Sequence, residues 1–186
     1  MIILASSSDD FSELATALGP EAADSRVRFC RGGDCRAQSV RNALQLVPSD
    51  VQWVAVHDAA RPLVSQELID RTFAAARHYG AAVPALPVSL TIKQALGPLP
   101  AKVQCTVPRH TLWAMQTPQA MGREALVAAF HSCPLPLDQI TDDAQLLELA
   151  GRDVWLVEGE QRNLKITTPV DLGIAEMMLA HSDHSH

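Results

Sequence analysis

Hydrophobic and polar positions alternate along the chain in short blocks that predict strands and helices in turn. Runs rich in β-branched and other apolar residues predict strands: "IILAS", "RVRFC", "VQWVAVHD", "AAVPALPV", "DVWLVEG" and "NLKIT". Between them, apolar residues three or four positions apart predict helices: Ser8 to Leu18, "RAQSVRNALQLV", the segment from Ser65 to Gly80, "GREALVAAFHSC" and "TDDAQLLELAG". The order predicts an α/β fold with a doubly wound, mostly parallel sheet and helices on both faces.

Helix ends are marked by residues that satisfy free backbone groups. Ser65 is expected to cap one helix, which should stop at Gly80. Thr141 is expected to cap a second helix. Thr168 followed by Pro169 predicts the start of the last helix, because a capping hydroxyl and a proline at the first helical position favour that start.

Two features interrupt the regular alternation. Pro84 and Pro87 lie inside a predicted strand, which therefore should be an edge strand or follow an irregular path. "LTIKQAL" and "AKVQCTV", joined by "GPLP", predict a two-stranded arm over about residues 90–108. Such an arm buries little surface on its own, so we expect it to pack against another subunit. No composition break divides the chain, which predicts one domain over residues 1–186.

Composition and charge argue against several classes of partner and location. The 186 residues carry a net charge of -6 and no basic stripe, which argues against a nucleic acid partner. No run approaches the roughly 20 apolar residues of a membrane span, and no signal peptide is visible, so a cytoplasmic protein is expected. The four cysteines form no zinc pattern and are expected to be reduced thiols. The tail "HSDHSH" either frays or binds a metal through His181, His184 and His186.

The strongest candidate chemistry lies in "HDAARP", directly after a buried strand. Ligands of open α/β sheets bind beyond the carboxyl ends of the strands, where Asp58 falls. A carboxylate there suits Mg²⁺ carrying substrate phosphates, and Arg61 offers a planar fork for phosphate oxygens. The alternative is an Asp58–Arg61 pair that only closes the turn. His57 is expected to pack in that turn rather than act as a base.

A second candidate is "GGDCRAQS". Its two glycines allow a ligand to approach the backbone, and Ser39 lies near a helix N-terminus, which attracts anions or polar base edges. An ordinary turn is the favoured explanation of the same residues taken alone, and the chain contains no P-loop pattern. Isolated cations and threonines elsewhere are usually solvated surface.

Taken together, six blocks resemble the 2-C-methyl-D-erythritol 4-phosphate cytidylyltransferase family. In chain order they are "GGDCRAQSVRNAL", "HDAARP", "LTIKQ", "TVPRHTLWAMQTPQ", "TDDAQLLELAG" and "NLKITTPVDL". The resemblance implies a Rossmann-like nucleotidyltransferase fold that transfers a cytidylyl group from CTP to the methylerythritol phosphate and releases pyrophosphate. It also implies Mg²⁺ as cofactor and a homodimer clasped by the arm.

The resemblance also implies roles for individual residues. Asp58 would lie at the metal and the triphosphate, with Arg61 beside it and Lys165 completing the catalytic set. Gly33, Asp34 and Ser39 would line the cytosine pocket. The substrate phosphate would be held by Thr91, Arg109, Thr117, Thr141 and Lys165. Arg109 and Thr141 would reach across the dimer into the other subunit's site.

The chain departs from the family pattern at its start. The family opens with a strand and a glycine-rich loop that wraps the triphosphate, and Met1 falls where its second strand should begin. Chain truncation and natural loss of catalysis both account for this departure, and either predicts weak or no turnover of CTP, unpaired strand edges and exposed apolar surface. Leu90 and Pro108 replace acids common in the family, which leaves a ribitol phosphate cytidylyltransferase, or a non-catalytic binding or dimer-partner protein of the same fold, as alternatives.

Overall fold

A computed structural model describes residues 1–7 and 11–182, which form an α/β fold. Strands β1 to β9 span Ile2–Ser6, Val27–Arg31, Trp53–Val56, Ala81–Pro87, Ile92–Ala95, Val103–Val107, Trp113–Met115, Gln119–Gly122 and Trp155–Glu158. Helices α1 to α6 span Ser12–Leu18, Arg36–Leu44, Gln66–Tyr79, Arg123–Ser132, Asp143–Leu149 and Pro169–Ser182. Short 3₁₀ helices cover Gly19–Ala23, Arg109–Thr111 and Leu137–Gln139.

The main sheet has the strand order β3-β8-β4-β7, and β9 pairs with β4 in parallel. Strands β3, β4 and β9 point the same way, as the alternating pattern predicts. β7 and β8 run antiparallel to their neighbours, because the chain returns through the middle of the sheet after the arm. β1 and β2 form a separate parallel pair. The predicted α/β class is confirmed.

Alternating side chains of the sheet supply two cores, one on each face. Ala81 and Met121 pack with α2, α4 and α5, where Leu126 of α4 is fully buried. The neighbouring residues Ala82 and Ala120 point to the opposite face and pack against α3. Successive residues of a strand point to opposite faces, so the small apolar residues of β4 and β8 serve both layers.

The proline-containing strand β4 is central, so the expectation of an edge strand is wrong. Its neighbour is discontinuous: β8 pairs with Ala81 and Ala82, whereas β7 pairs with Ala85–Pro87. Pro84 lies at the change of neighbour, where its carbonyl accepts a hydrogen bond from Gln116 N at 2.7 Å. The irregularity that proline requires is therefore in the neighbouring strands.

Several predicted helix ends are confirmed. Ser65 Oγ accepts a hydrogen bond from Leu68 N at 3.0 Å, and Gly80 ends α3 with a φ of 96°. Thr168 Oγ1 accepts from Asp171 N at the start of α6. The predicted helix from Ser8 begins at residues 8–10, which lie outside the described residues, and its described part is α1.

Two local predictions are wrong. Thr141 does not cap α5; Asp142 does, by accepting a hydrogen bond from Gln145 N at 3.0 Å. Residues 163–167, "NLKIT", form a loop instead of a strand. Ile166 N bonds to Ala60 O at 2.8 Å, so this segment's backbone joins the turn after β3 and not a sheet edge.

The predicted arm is confirmed. Strands β5 and β6 pair with each other in an antiparallel two-stranded sheet of their own. Leu96 and Leu99 at its tip are 72% and 88% exposed, so the arm leaves apolar surface in solvent. In the described parts of the chain, no helix is long and apolar enough to cross a membrane. His184 and His186 of the predicted tail site lie outside the described residues.

Candidate active site

Asp58 follows β3 and faces three cations. Its Oδ2 lies 2.9 Å from Lys165 Nζ and 3.8 Å from Arg61 Nε, and its Oδ1 lies 3.3 Å from Arg36 Nε. Lys165 comes from the loop before α6 and Arg36 from the first turn of α2, so three separate segments meet here. The sheet edge thus gathers positive charge around one carboxylate, as a site for anions requires.

The Asp58–Arg61 pair does more than close its turn. At 3.8 Å it is the longest of the three contacts. Arg61 is anchored elsewhere, since its Nη1 donates to Asn163 O at 2.8 Å and its Nη2 to Met115 O at 3.3 Å. Burial lowers the pKa of Arg61, with Asp58 opposing that shift. Backbone carbonyls therefore fix the guanidinium beside Asp58.

The surroundings favour the ionised form of Asp58. Burial alone would raise the pKa of this carboxyl, but the hydrogen bond from Lys165 and the charge of Arg36 outweigh it. The pKa of Asp58 consequently lies below its ordinary value. An ionised carboxylate remains available near neutral pH.

Thr117 and His57 fix the backbone of Asp58. Thr117 Oγ1 accepts a hydrogen bond from Asp58 N at 3.0 Å and lies 3.0 Å from His57 Nδ1. His57 Nε2 lies 3.0 Å from Arg61 O, so the ring joins the turn after β3 to Thr117. His57 is a turn histidine, as predicted. Asn163 Nδ2 in turn donates to Thr117 O at 2.8 Å, which ties the threonine to the Lys165 loop.

A polar cleft of about 300 Å³ opens at this edge of the sheet. Its lining includes five of the predicted site residues: Asp58, Arg61, Thr117, Thr141 and Lys165. Lys165 is 44% exposed at its side chain, whereas that of Asp58 is 14% exposed. The cleft therefore presents an exposed cation at its mouth and a fixed carboxylate deeper inside.

Two of the residues predicted to hold the substrate phosphate are absent from the cleft lining. Thr91 precedes β5 and is exposed, and Arg109 lies after β6, where its Nη1 donates to Ser89 O. Both therefore belong to the arm. Thr141, in contrast, lines the cleft of its own chain, and its reach across a dimer stays a prediction. The loop before α5 holds it there.

The predicted cytosine-pocket residues form a compact turn before α2. Gly33 N donates to Ser39 Oγ at 2.9 Å, and that hydroxyl donates to Cys35 O at 3.1 Å. A Cβ added to Gly33 would lie 2.2 Å from Gln38 Cγ, so close packing explains this glycine. Asp34 is exposed on the same turn. Ser39 also lines a second opening, described next.

The second opening is an apolar groove of about 800 Å³. All four residues of β3 line it, together with part of β1 and the apolar face of α2. β3 lies at the end of the main sheet, and β1 pairs with β2 on one side, so in the described residues each has an edge without a strand partner. The expected unpaired edges and apolar surface are both present. The groove and the cleft share Arg36, Asp58 and Lys165 as wall residues.

Sequence reasoning missed Arg36 and Asp143. Arg36 Nη2 lies 2.7 Å from Asp143 Oδ2, and the Asp143 side chain is fully buried. Each position carried a signal in the sequence. Arg36 is a cation in the first turn of α2, where it opposes the helix dipole. Asp143 is a second acid at the start of α5, where the cap needs only Asp142. Gln119, also fully buried and also missed, accepts hydrogen bonds from Asp143 N and Ala144 N at 3.0 Å each.

Of the two carboxylates in the cleft lining, Asp142 is engaged by Gln119 and Gln145, which limits how the site could hold a metal. In the described residues, no group of three or more histidines, cysteines, aspartates or glutamates is placed to enclose an ion. Mg²⁺ commonly uses one or two carboxylates together with substrate phosphates and water. The donor set at Asp58 therefore fits a Mg²⁺ ion that is partly held by a nucleotide.

An α/β fold with a cluster of cations at the carboxyl edge of its sheet is typical of proteins that bind anionic ligands such as nucleotides. A sequence model of the 2-C-methyl-D-erythritol 4-phosphate cytidylyltransferase family matches residues 1–181. The chain belongs to this family.

Individual relatives agree. The cytidylyltransferase of Gloeobacter violaceus is 45% identical over 153 residues, covering 82% of this chain and 65% of the relative. That of Microcystis aeruginosa is 41% identical over 173 residues, covering 92% and 75%. This chain thus spans about two thirds of the relatives' length, and less than that for the Gloeobacter enzyme.

Solved structures give the same result. The 4-diphosphocytidyl-2C-methyl-D-erythritol synthase of Anaerococcus prevotii superposes with a TM-score of 0.82 at 31% identity, covering 96% of this chain and 78% of that one. The cytidylyltransferase of Thermus thermophilus gives a TM-score of 0.72 at 39% identity, covering 82% and 72%. The nucleotidyltransferase-like fold is confirmed.

Proposed function

We propose that the protein transfers the cytidylyl group of CTP to 2-C-methyl-D-erythritol 4-phosphate in non-mevalonate isoprenoid synthesis. The phosphate oxygen of the substrate attacks the α-phosphorus of CTP, the bond from that phosphorus to the bridging oxygen breaks, and pyrophosphate leaves. One observation carries the proposal: Asp58 lies at the carboxyl edge of the sheet among three cations, in a chain of this family.

The cleft supplies what two approaching anions require. A phosphate monoester and a triphosphate repel each other, so position and positive charge provide most of the catalysis in phosphoryl transfer. The Lys165 side chain is half-exposed, and its ammonium group forms an ion pair with Asp58 alone among the described acids. It can therefore turn towards a substrate phosphate. Arg61 is fixed by carbonyls and presents a constant positive charge.

The remaining assignments extend this scheme. Asp58 would hold Mg²⁺, which neutralises phosphate charge when bound. Thr117 and Thr141 line the cleft, where they would contact the substrate phosphate. Gly33, Asp34 and Ser39 would hold the cytosine at the turn before α2, which meets the cleft through Arg36.

We assign Thr91 and Arg109 to a second subunit's site. Both lie on the arm, which is exposed and pairs only with itself among the described strands. A two-stranded sheet of this size is marginal alone, so packing against a second copy would stabilise it. A homodimer clasped by the arms would bring these residues to a partner's cleft. The protein would act in the cytoplasm, where its phosphorylated substrates occur.

Calorimetric titration of the chain with CTP and Mg²⁺ tests the nucleotide site. We expect saturable binding that weakens about tenfold or more in Asp58→Ala, since a charged contact is lost. Asp50→Ala, at an exposed loop position, should bind as the unchanged chain does. Equal binding by Asp58→Ala and Asp50→Ala would contradict the role of Asp58.

Turnover is a separate measurement. Pyrophosphate release from Mg²⁺–CTP in the presence of methylerythritol phosphate measures it. If neither the unchanged chain nor its variants bound nucleotide, a non-catalytic binding or dimer-partner protein would be favoured. Faster turnover of ribitol phosphate than of methylerythritol phosphate would favour a ribitol phosphate cytidylyltransferase.

A further inference from the structure

The carboxylate of Asp143 has no evident role in the helix that carries it. It lies in the first turn of α5, but Asp142 makes the capping hydrogen bond to Gln145 N. Neither Asp143 carboxylate oxygen accepts an aligned hydrogen bond from the described residues, although the side chain is fully buried. A buried carboxylate is costly unless it is paired, so its pairing must explain its presence.

That pairing is with Arg36. Arg36 Nη2 lies 2.7 Å from Asp143 Oδ2, while its Nε donates to Asp58 Oδ1 at 3.3 Å. One guanidinium therefore joins a fully buried acid to the acid of the cleft. Burial lowers the pKa of Arg36, but Asp143 and then Asp58 raise it, and the net shift is upward.

Arg36 and Lys165 hold Asp58 in different ways. The Arg36 side chain is 32% exposed and is restrained by two carboxylates. That of Lys165 is 44% exposed and contacts Asp58 alone among the acids of the described chain. Of the two cations, Lys165 is the one that can leave Asp58 when a phosphate arrives.

We propose that Asp143 is a positioning residue that locks Arg36 onto Asp58. Asp58 then keeps one orientation while Lys165 exchanges from it to an incoming phosphate. The Lys165 exchange rests on the proposed function, whereas the Asp143–Arg36–Asp58 connection does not.

Hydrogen exchange of the Arg36 Nε–H group, followed by NMR, tests the connection without any nucleotide. Arg36→Lys identifies the resonance. In Asp143→Asn, which keeps the shape and removes the charge, we expect exchange about tenfold or more faster, the factor expected when a restraint by a charged group is lost. Asp171→Asn removes a first-turn acid from α6 that accepts hydrogen bonds from Thr167 and Thr168 instead of Arg36, and should leave the Arg36 signal unchanged.

The same variants separate this inference from the proposed function. Unchanged Arg36 exchange in Asp143→Asn overturns the positioning role, whatever the nucleotide does. Faster exchange with no binding of Mg²⁺–CTP by the unchanged chain supports the positioning role and refutes the proposed function. If the positioning role and the proposed function are both correct, Asp143→Asn should also weaken Mg²⁺–CTP binding about tenfold.

A double variant keeps the test decisive if Asp143→Asn does not fold. Removing both charged partners of a buried pair costs less than removing one. We therefore expect Asp143→Asn/Arg36→Gln to recover folding, measured by urea unfolding. A double variant no more stable than Asp143→Asn would show that the two side chains are not coupled, and would overturn the proposal.

Discussion

The cleft and the groove share three wall residues, but the rest of the cleft lining is mostly polar and the rest of the groove lining is mostly apolar. The cleft is lined by charged and amide side chains whose positions are fixed by hydrogen bonds between distant segments. The groove is lined chiefly by apolar residues of β1, β3 and α2, beside strand edges without partners among the described residues. Substitutions around the groove should therefore act through packing and stability, whereas substitutions around the cleft should act through charge and orientation.

The largest effect should come from the groove side. Leu126 is fully buried in the core and also lines the groove. Leu126→Ala should lower the free energy of unfolding by about 2–5 kcal/mol, because buried contacts are lost and a cavity remains. Urea unfolding measures the change.

Val170→Ala provides the control, since Val170 is 70% exposed on α6. Its effect should stay within about 0.5 kcal/mol. A change no larger than this in Leu126→Ala would mean that the groove wall collapses to fill the space, and the contrast between the two regions would fail.

A smaller loss of stability is expected on the cleft side. Gln119 accepts hydrogen bonds from two buried backbone amides and donates to Asp142 Oδ2 at 2.9 Å. Gln119→Ala leaves those amides without their acceptor and should cost about 1–3 kcal/mol in total. Urea unfolding measures this loss, with the exposed Gln52→Ala as a control.

Mg²⁺–CTP titration of the same variant sharpens the comparison. Gln119 holds the first turn of α5, which carries Asp143, so nucleotide affinity should fall together with stability. A variant that loses stability and keeps its affinity would show that α5 does not orient the cleft.

The smallest effect concerns an acid outside both regions. Hydrogen bonds from Thr167 and Thr168 lower the pKa of the exposed Asp171 to about 2. An acid with a depressed pKa stabilises the fold above its unfolded value of about 3.9 and loses that contribution as the pH falls through about 2. The stability difference between the unchanged chain and Asp171→Asn should therefore be full at a pH of about 5 and shrink towards zero as the pH falls below about 2.

Thermal unfolding at several pH values measures this difference. A difference that stays constant over the whole of that range would mean that the start of α6 does not depend on the charge of Asp171.

Sequence periodicity predicted the α/β class, the arm and most helix ends, because these depend on local pattern and on short-range capping. Of the two alternatives for β4, an edge strand or an irregular path, the edge strand is wrong, because a break between neighbouring strands that lie far along the chain permits Pro84 at the sheet centre. Periodicity also read "NLKIT" as a strand, because the backbone partner of Ile166 is Ala60, which is equally remote in sequence.

The site, like the fold, was predictable only in part from the sequence. Asp58 and Lys165 were found from the end of a strand and from family resemblance, and they do meet. Arg36 and Asp143 were missed, since a buried ion pair between two helices leaves no periodic pattern in either segment. The charge of Arg36 at a helix start is the signal that could have indicated an acid nearby.

Arg36, Asp58 and Lys165 line both openings, so a ligand in one opening contacts side chains that also line the other. If a molecule bound in the groove displaced these side chains, it would change the affinity of the cleft for its own ligand by some factor. Linkage requires that the cleft ligand then change the affinity of the groove by the same factor. The ligand affinities of a polar cleft and an apolar groove would then be coupled through three shared side chains.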